Sequence, residues 1–214
     1  MPGFTGGLVW RDLFGRNDGT LSIVSNGLSW LHAAPPGGFG SLIGTNGNAS
    51  VVNVNTNFGI TSNNVITIAC WAWVPTTSQR GAFFKLGSGG GGNGIGHGVG
   101  STSIDGFGNN ICLLNEGVRH INTGVCVGTG WHHFIFTHNA SGQPTVYLNG
   151  RRVYSDSGAG YTSPSNQLGI LGYHTNNTFS NRNWGGGLDD FSIWTRQITD
   201  GEAVALYEDS RKGY

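Results

Sequence analysis

Residues 130–153 read GWHHFIFTHNASGQPTVYLNGRRV, and this stretch decides the fold. The run 131–138 is rich in aromatic and β-branched side chains and reads as a strand. The polar run Asn139-Ala140-Ser141-Gly142-Gln143 then breaks it. A second apolar run, 144–149, meets a third, 151–155, at Asn149-Gly150. A two-residue type I′ turn needs φ > 0 at both central positions, and Asn-Gly tolerates that. The segment therefore predicts antiparallel strands joined by tight turns.

The same texture extends in both directions. Short apolar runs at 8–14, 20–24, 49–54, 65–74, 82–87, 94–100, 111–114, 118–121, 167–172 and 187–195 alternate with Gly, Asn, Ser and Thr clusters. Many short strands at such spacing predict an all-β, two-sheet antiparallel sandwich. One helix is expected, from Thr199 to about Glu208. Thr199 and Glu202 have capping-box spacing, and Ala203, Leu206 and Tyr207 fall on one face. No linker divides residues 1–214, so a single domain is expected.

Composition narrows the function classes. Lys+Arg and Asp+Glu are 11 each, giving zero net charge, and charged residues make up only 10%. No basic footprint for nucleic acid exists, and no basic patch suits a membrane surface. Glycine is abundant, 39 residues of 214, without a collagen period. Nine of them lie in 87–100, GSGGGGNGIGHGVG, whose second half puts glycine on one strand face. Such a face lets a sheet, ligand or subunit approach the backbone closely. The three cysteines form no even framework and no CxxC pair. The start, MPGFTGGLVWRDLF, has no basic region followed by an apolar one, so a chain folding in the cytosol is expected.

Three segments resemble one family. They are NNVITIACWAWVP at 63–75, the 130–153 stretch with Trp131, His132, His133 and Tyr147-Leu148-Asn149-Gly150, and GGGLDDFSIWTRQITDGEAVALY at 185–207. Together, in this order, they resemble the LamG-like jelly rolls of the concanavalin A-like lectin/glucanase superfamily. The resemblance covers roughly residues 45–208 and implies a jelly-roll sandwich. It also implies that a structural calcium ion is the one metal to expect, with Asp189 or Asp190 as ligand; no cofactor is otherwise required. From alternation alone, Asp189, Phe191 and Ile193 share one strand face, which places Asp189 in the core as a hydrogen-bonded hub or a cation ligand.

Catalysis is not expected. Glycosidases of this fold need paired carboxylates, and the chain has three glutamates: Glu116, Glu202 and Glu208. Two belong to the terminal helix region, and Glu116 has no acidic neighbour in sequence. No G-x-S-x-G or H-E-x-x-H motif occurs. His132 and His133 are adjacent and must point to opposite faces of their strand, so they cannot chelate together.

The loop 173–186, YHTNNTFSNRNWGG, is the expected recognition surface. Tyr173, His174, Phe179, Arg182 and Trp184 are its candidate contacts. Aromatic faces and carboxamides suit either a glycan or a protein partner. A polar connector with Trp184 packed beneath the sheet is the competing expectation. A lectin-like domain without an export signal is expected in a tailed phage, which assembles in the host cytoplasm and leaves by lysis. The expected role is a non-enzymatic virion protein, a capsid decoration or head-fibre module. Its partners would be capsid proteins, host or surface glycans and further copies of itself. The alternative is an extracellular, stand-alone carbohydrate-binding lectin.

Overall fold

The computed structural model describes residues 9–10, 19–22, 28–31, 41–44, 51–55, 65–74, 81–87, 94–100, 107–116, 118–160, 167–170 and 184–212. They form two antiparallel sheets and one helix. The strands are β1 (Val9–Trp10), β2 (Gly19–Ser22), β3 (Leu28–Leu31), β4 (Ser41–Gly44), β5 (Val51–Asn55), β6 (Ile66–Val74), β7 (Gly81–Gly87), β8 (Gly94–Val99), β9 (Asn110–Glu116), β10 (Arg119–Cys126), β11 (Gly130–His138), β12 (Pro144–Leu148), β13 (Arg151–Ser155), β14 (Gln167–Ile170) and β15 (Gly187–Trp194). One sheet runs β1, β2, β5, β14, β7, β8, β9, β10; the other runs β13, β12, β11, β6, β15, β4, β3. Helix α1 spans Asp200–Ser210. This is the two-sheet jelly-roll sandwich with one short C-terminal helix that the sequence predicted.

Alternation along β6 sets the layers. Ile66, Ile68, Cys70, Ala72 and Val74 enter the core between the sheets, beside Phe134 and Phe136 of β11 and Phe83, Phe84 and Leu86 of β7. The intervening residues face outward, where Ala69, Ile135 and Tyr147 receive Ile198 and Ala203. Ala203 is the one buried residue of α1, so the helix covers only part of that outer face. Its N-terminus is closed as predicted. Thr199 accepts from the Glu202 N–H, and the Glu202 carboxylate accepts from the Thr199 N–H.

The Asn149-Gly150 turn also takes the predicted shape, with φ of 50° and 77°. Asn149 does more than turn the chain. Its side-chain oxygen accepts the His133 N–H at 2.9 Å, locking the hairpin tip onto β11.

Two strands, β3 and β4, were not expected. LSWL and SLIG are each four residues long and sit in Gly/Pro-rich text, too short for periodicity to register. The glycine-alternating strand β8 is buried along its whole length. Its close neighbour is β7: a Cβ on Gly94 would lie 2.6 Å from the Leu86 carbonyl oxygen. The glycines therefore serve packing within the sheet and present no surface to a ligand.

One expectation is corrected. Asp189 does not share a face with Phe191 and Ile193. The pairing of β15 with β6 shifts by one residue between Asp189 and Ser192. Asp190, at φ 48°, makes this bulge. The extra residue flips the alternation, so Phe191 and Ile193 pack on the core while Asp189 stands with Trp71 on the outer face. There it is partly exposed.

Candidate functional site

The outer face of the seven-stranded sheet is built in cross-strand rows. Trp131 of β11 pairs with Trp73 of β6, and Trp73 with Gly187 of β15. In the next row His133 pairs with Trp71, and Trp71 with Asp189. Side chains of directly paired residues stand on the same face. Helix α1 closes over the second row. The Tyr207 ring lies 5.8 Å from Trp71 and 6.0 Å from His133, and Trp71 and His133 are 5.3 Å apart. This burial pushes the His133 pKa down to about 4, because a charged imidazole is poorly solvated there.

The first row lies past the helix. Trp73 and Trp131 are partly exposed, with ring centroids 5.9 Å apart and planes at 61°. Gly187 contributes no side chain beside them. The Trp73–Trp131 pair is thus an edge-to-face indole corner beside the buried Gly187 backbone.

Asp189 and Asp190 border this corner. One Asp189 oxygen accepts the Asp190 N–H at 2.9 Å. Burial pushes the Asp189 carboxyl up to about 7, the neighbouring Asp190 carboxylate adds to this, and the hydrogen bond opposes it. Burial also raises the Asp190 carboxyl. Two crowded carboxyls without a stabilising cation hold their protons more tightly than free ones. A calcium ion needs six to eight oxygens. Among the described residues, no group of three His, Cys, Asp or Glu side chains converges to hold a metal.

The sequence-derived candidates fare unevenly. Tyr173, His174, Phe179 and Arg182 lie outside the described residues. Trp184 is not a surface contact. It is fully buried, 4.6 Å from Phe83 in an edge-to-face pair, and its indole N–H donates to the Gly187 carbonyl. A large aromatic beside Gly185 and Gly186 is better satisfied in the core than in water. The sequence candidates do not include Trp73 and Trp131, whose shared outward face follows from β6 alternation together with the β6–β11 register. His132 and His133 do face opposite ways, His133 into the α1 cluster and His132 against Phe134 at 6.3 Å.

Solved structures with a similar fold include the binding domain of botulinum neurotoxin serotype G, 17% identical, TM-score 0.64, covering 94% of this chain and 50% of that one. Trypanosoma rangeli sialidase in complex with sialic acid is 14% identical, TM-score 0.66, covering 97% of this chain and 32% of that one. Domain 4 of AbnA, a GH43 extracellular arabinanase from Geobacillus stearothermophilus, in complex with arabinotriose, is 16% identical, TM-score 0.66, covering 94% of this chain and 93% of that one. The chain thus spans half the toxin domain, about a third of the sialidase and nearly all of the arabinanase domain. At these identities the likeness is one of fold. No curated protein matches by sequence. A family model described as the concanavalin A-like lectin/glucanases superfamily matches residues 45–203, most of the chain, and the chain belongs to that superfamily.

Proposed function

We propose that the protein is a non-catalytic carbohydrate-binding module whose glycan lies against Trp73 and Trp131. The exposed part of that indole pair carries the reading. Sugar rings present C–H faces that stack on indoles, and ring hydroxyls donate to carboxylates. Asp189 and Asp190 supply such acceptors beside the corner. Complexes of the arabinanase domain with arabinotriose and of the sialidase with sialic acid support the choice of a saccharide ligand. The module needs no cofactor and turns over no glycan.

The test is binding of pentose and sialylated oligosaccharides, followed by calorimetry on Trp131→Ala. Removing one stacking ring should weaken binding about five- to thirtyfold while circular dichroism stays native, since a stacked ring contributes about 1–2 kcal/mol. Full-strength binding by Trp131→Ala sinks this site, and absence of binding to any glycan sinks the function.

The proposed setting is the surface of a tailed-phage virion, as a self-associating capsid decoration or head-fibre module; the other setting is an extracellular lectin. Zero net charge and 10% charged residues support a contact surface that does not repel further copies. Co-sedimentation with intact capsids, against capsids lacking the protein, separates the two settings.

A further inference from the structure

At the end of the sandwich opposite the indole corner, polar groups enter the core. His97 of β8 and His138 of β11 are both fully buried. Their Nε2 atoms are 2.9 Å apart and their rings stack at 5.0 Å. Burial, the dominant cause, lowers both pKa values, so both rings are neutral near pH 7. A neutral pair sharing one Nε2–Nε2 hydrogen bond has one ring protonated at Nε2 and the other at Nδ1.

Asn115 of β9 occupies the neighbouring row on the same inner face. It pairs with Ile95, while His97 pairs with Leu113. It is fully buried, and neither its side-chain oxygen nor its nitrogen has a hydrogen-bond partner in the protein. The His97 Nδ1 atom also lacks a well-formed hydrogen bond, its ring having only a loose contact with the Gly96 backbone. Leaving such groups unsatisfied forfeits the hydrogen bonds they make with water when unfolded, and native proteins rarely do so.

The next residue in the Asn115 row is Arg119 on edge strand β10. Its guanidinium crosses to the other sheet, donating to the Ala159 carbonyl at 3.0 Å and pairing with Asp156. Asp156 also accepts from the Tyr154 hydroxyl and the Gly158 N–H. Its N–H is tied to the Pro144 carbonyl, and Pro144 pairs with His138. The polar line thus runs from this clasp past Asn115 to the imidazole pair.

We propose that the sandwich encloses ordered water at Asn115 and His97, with the Arg119–Asp156 clasp as its outer wall. Asn115 presents donors and acceptors, and His97 Nδ1 presents one or the other; water alone among common ligands serves both. Arg119 and Asp156 neutralise each other, so the clasp itself presents no net charge to attract an ion.

The experiment is water–protein NMR on the intact chain. The Asn115 side-chain amide protons should show cross-peaks with a water held longer than the molecule tumbles. Asn115→Leu should remove the matching water cross-peaks to the His97 ring, and Arg119→Ala should shorten the water's residence time in oxygen-17 relaxation. A folded wild type with no bound-water signal at Asn115 overturns the proposal. So does a His97 water signal unchanged in Asn115→Leu.

Discussion

Asp189 shows how one inserted residue changes a side chain's role. Strict alternation put it in the core, where a carboxylate must be a satisfied hub. The bulge at Asp190 moves it to the outer face, where burial makes its charge costly and the Asp190 N–H offsets only part of that cost. Its pKa is raised from 3.8 to about 7, so the folded state holds the proton more tightly than the unfolded one. The stabilisation is fully present below pH 4 and is lost as pH rises through 7. Asp189→Asn keeps the acceptor for the Asp190 N–H and removes the charge. It should raise stability at pH 8 by about 1 kcal/mol, a value discounted for partial exposure, and do little at pH 4. Equal effects at the two pH values in urea titrations would contradict this. No periodicity argument predicts a bulge, because its signal is an αL backbone and Asp is only one of several residues that adopt it.

At the scale of elements, turns and caps were the most legible features. The Asn149-Gly150 hairpin and the Thr199–Glu202 box each rest on a short motif whose geometry has few solutions. The hairpin carries more than its turn. Asn149 bonds β11, and a Cβ on Gly150 would press the Tyr207 side chain at 3.1–3.4 Å. Replacing both residues by alanine should therefore destabilise the protein by about 2–4 kcal/mol, combining αL strain with a lost hydrogen bond. It should also loosen α1, so near-ultraviolet dichroism from Tyr207 should change along with the urea midpoint. An unaltered midpoint would count against the lock. The indole corner was less legible: Trp73 and Trp131 lie 58 positions apart, and only the β6–β11 register makes them neighbours.

For the whole molecule, three histidines govern the acid limb. His97, His133 and His138 all have folded pKa values below 6.5; His133 is pushed to about 4 and His138 to about 3. Between pH 6.5 and 4.5 the unfolded chain takes up protons that the folded chain refuses. Stability is therefore present above pH 6.5 and falls on acidification, by up to about 1.4 kcal/mol per pH unit per histidine. Asp189 and Asp190 work in the opposite direction but are two groups against three. Urea midpoints should drop steeply from pH 6.5 to 4.5, and the triple variant His97→Gln, His133→Gln, His138→Gln, if it folds, should lose the slope. A flat wild-type profile would show that the rings are solvated.

The buried glycines of β8 carry a consequence for descent. A Cβ on Gly94 would lie 2.6 Å from the Leu86 carbonyl oxygen, and one on Gly98 would overlap the Gly81 carbonyl. In each case the obstacle is main chain, which cannot rotate aside. In a saturation library, both codons should therefore purge every substitution, while the exposed position Cys126 on β10 tolerates change. The lineage can vary its edge strand, but this seam admits only insertions or deletions elsewhere that move β7 and β8 together.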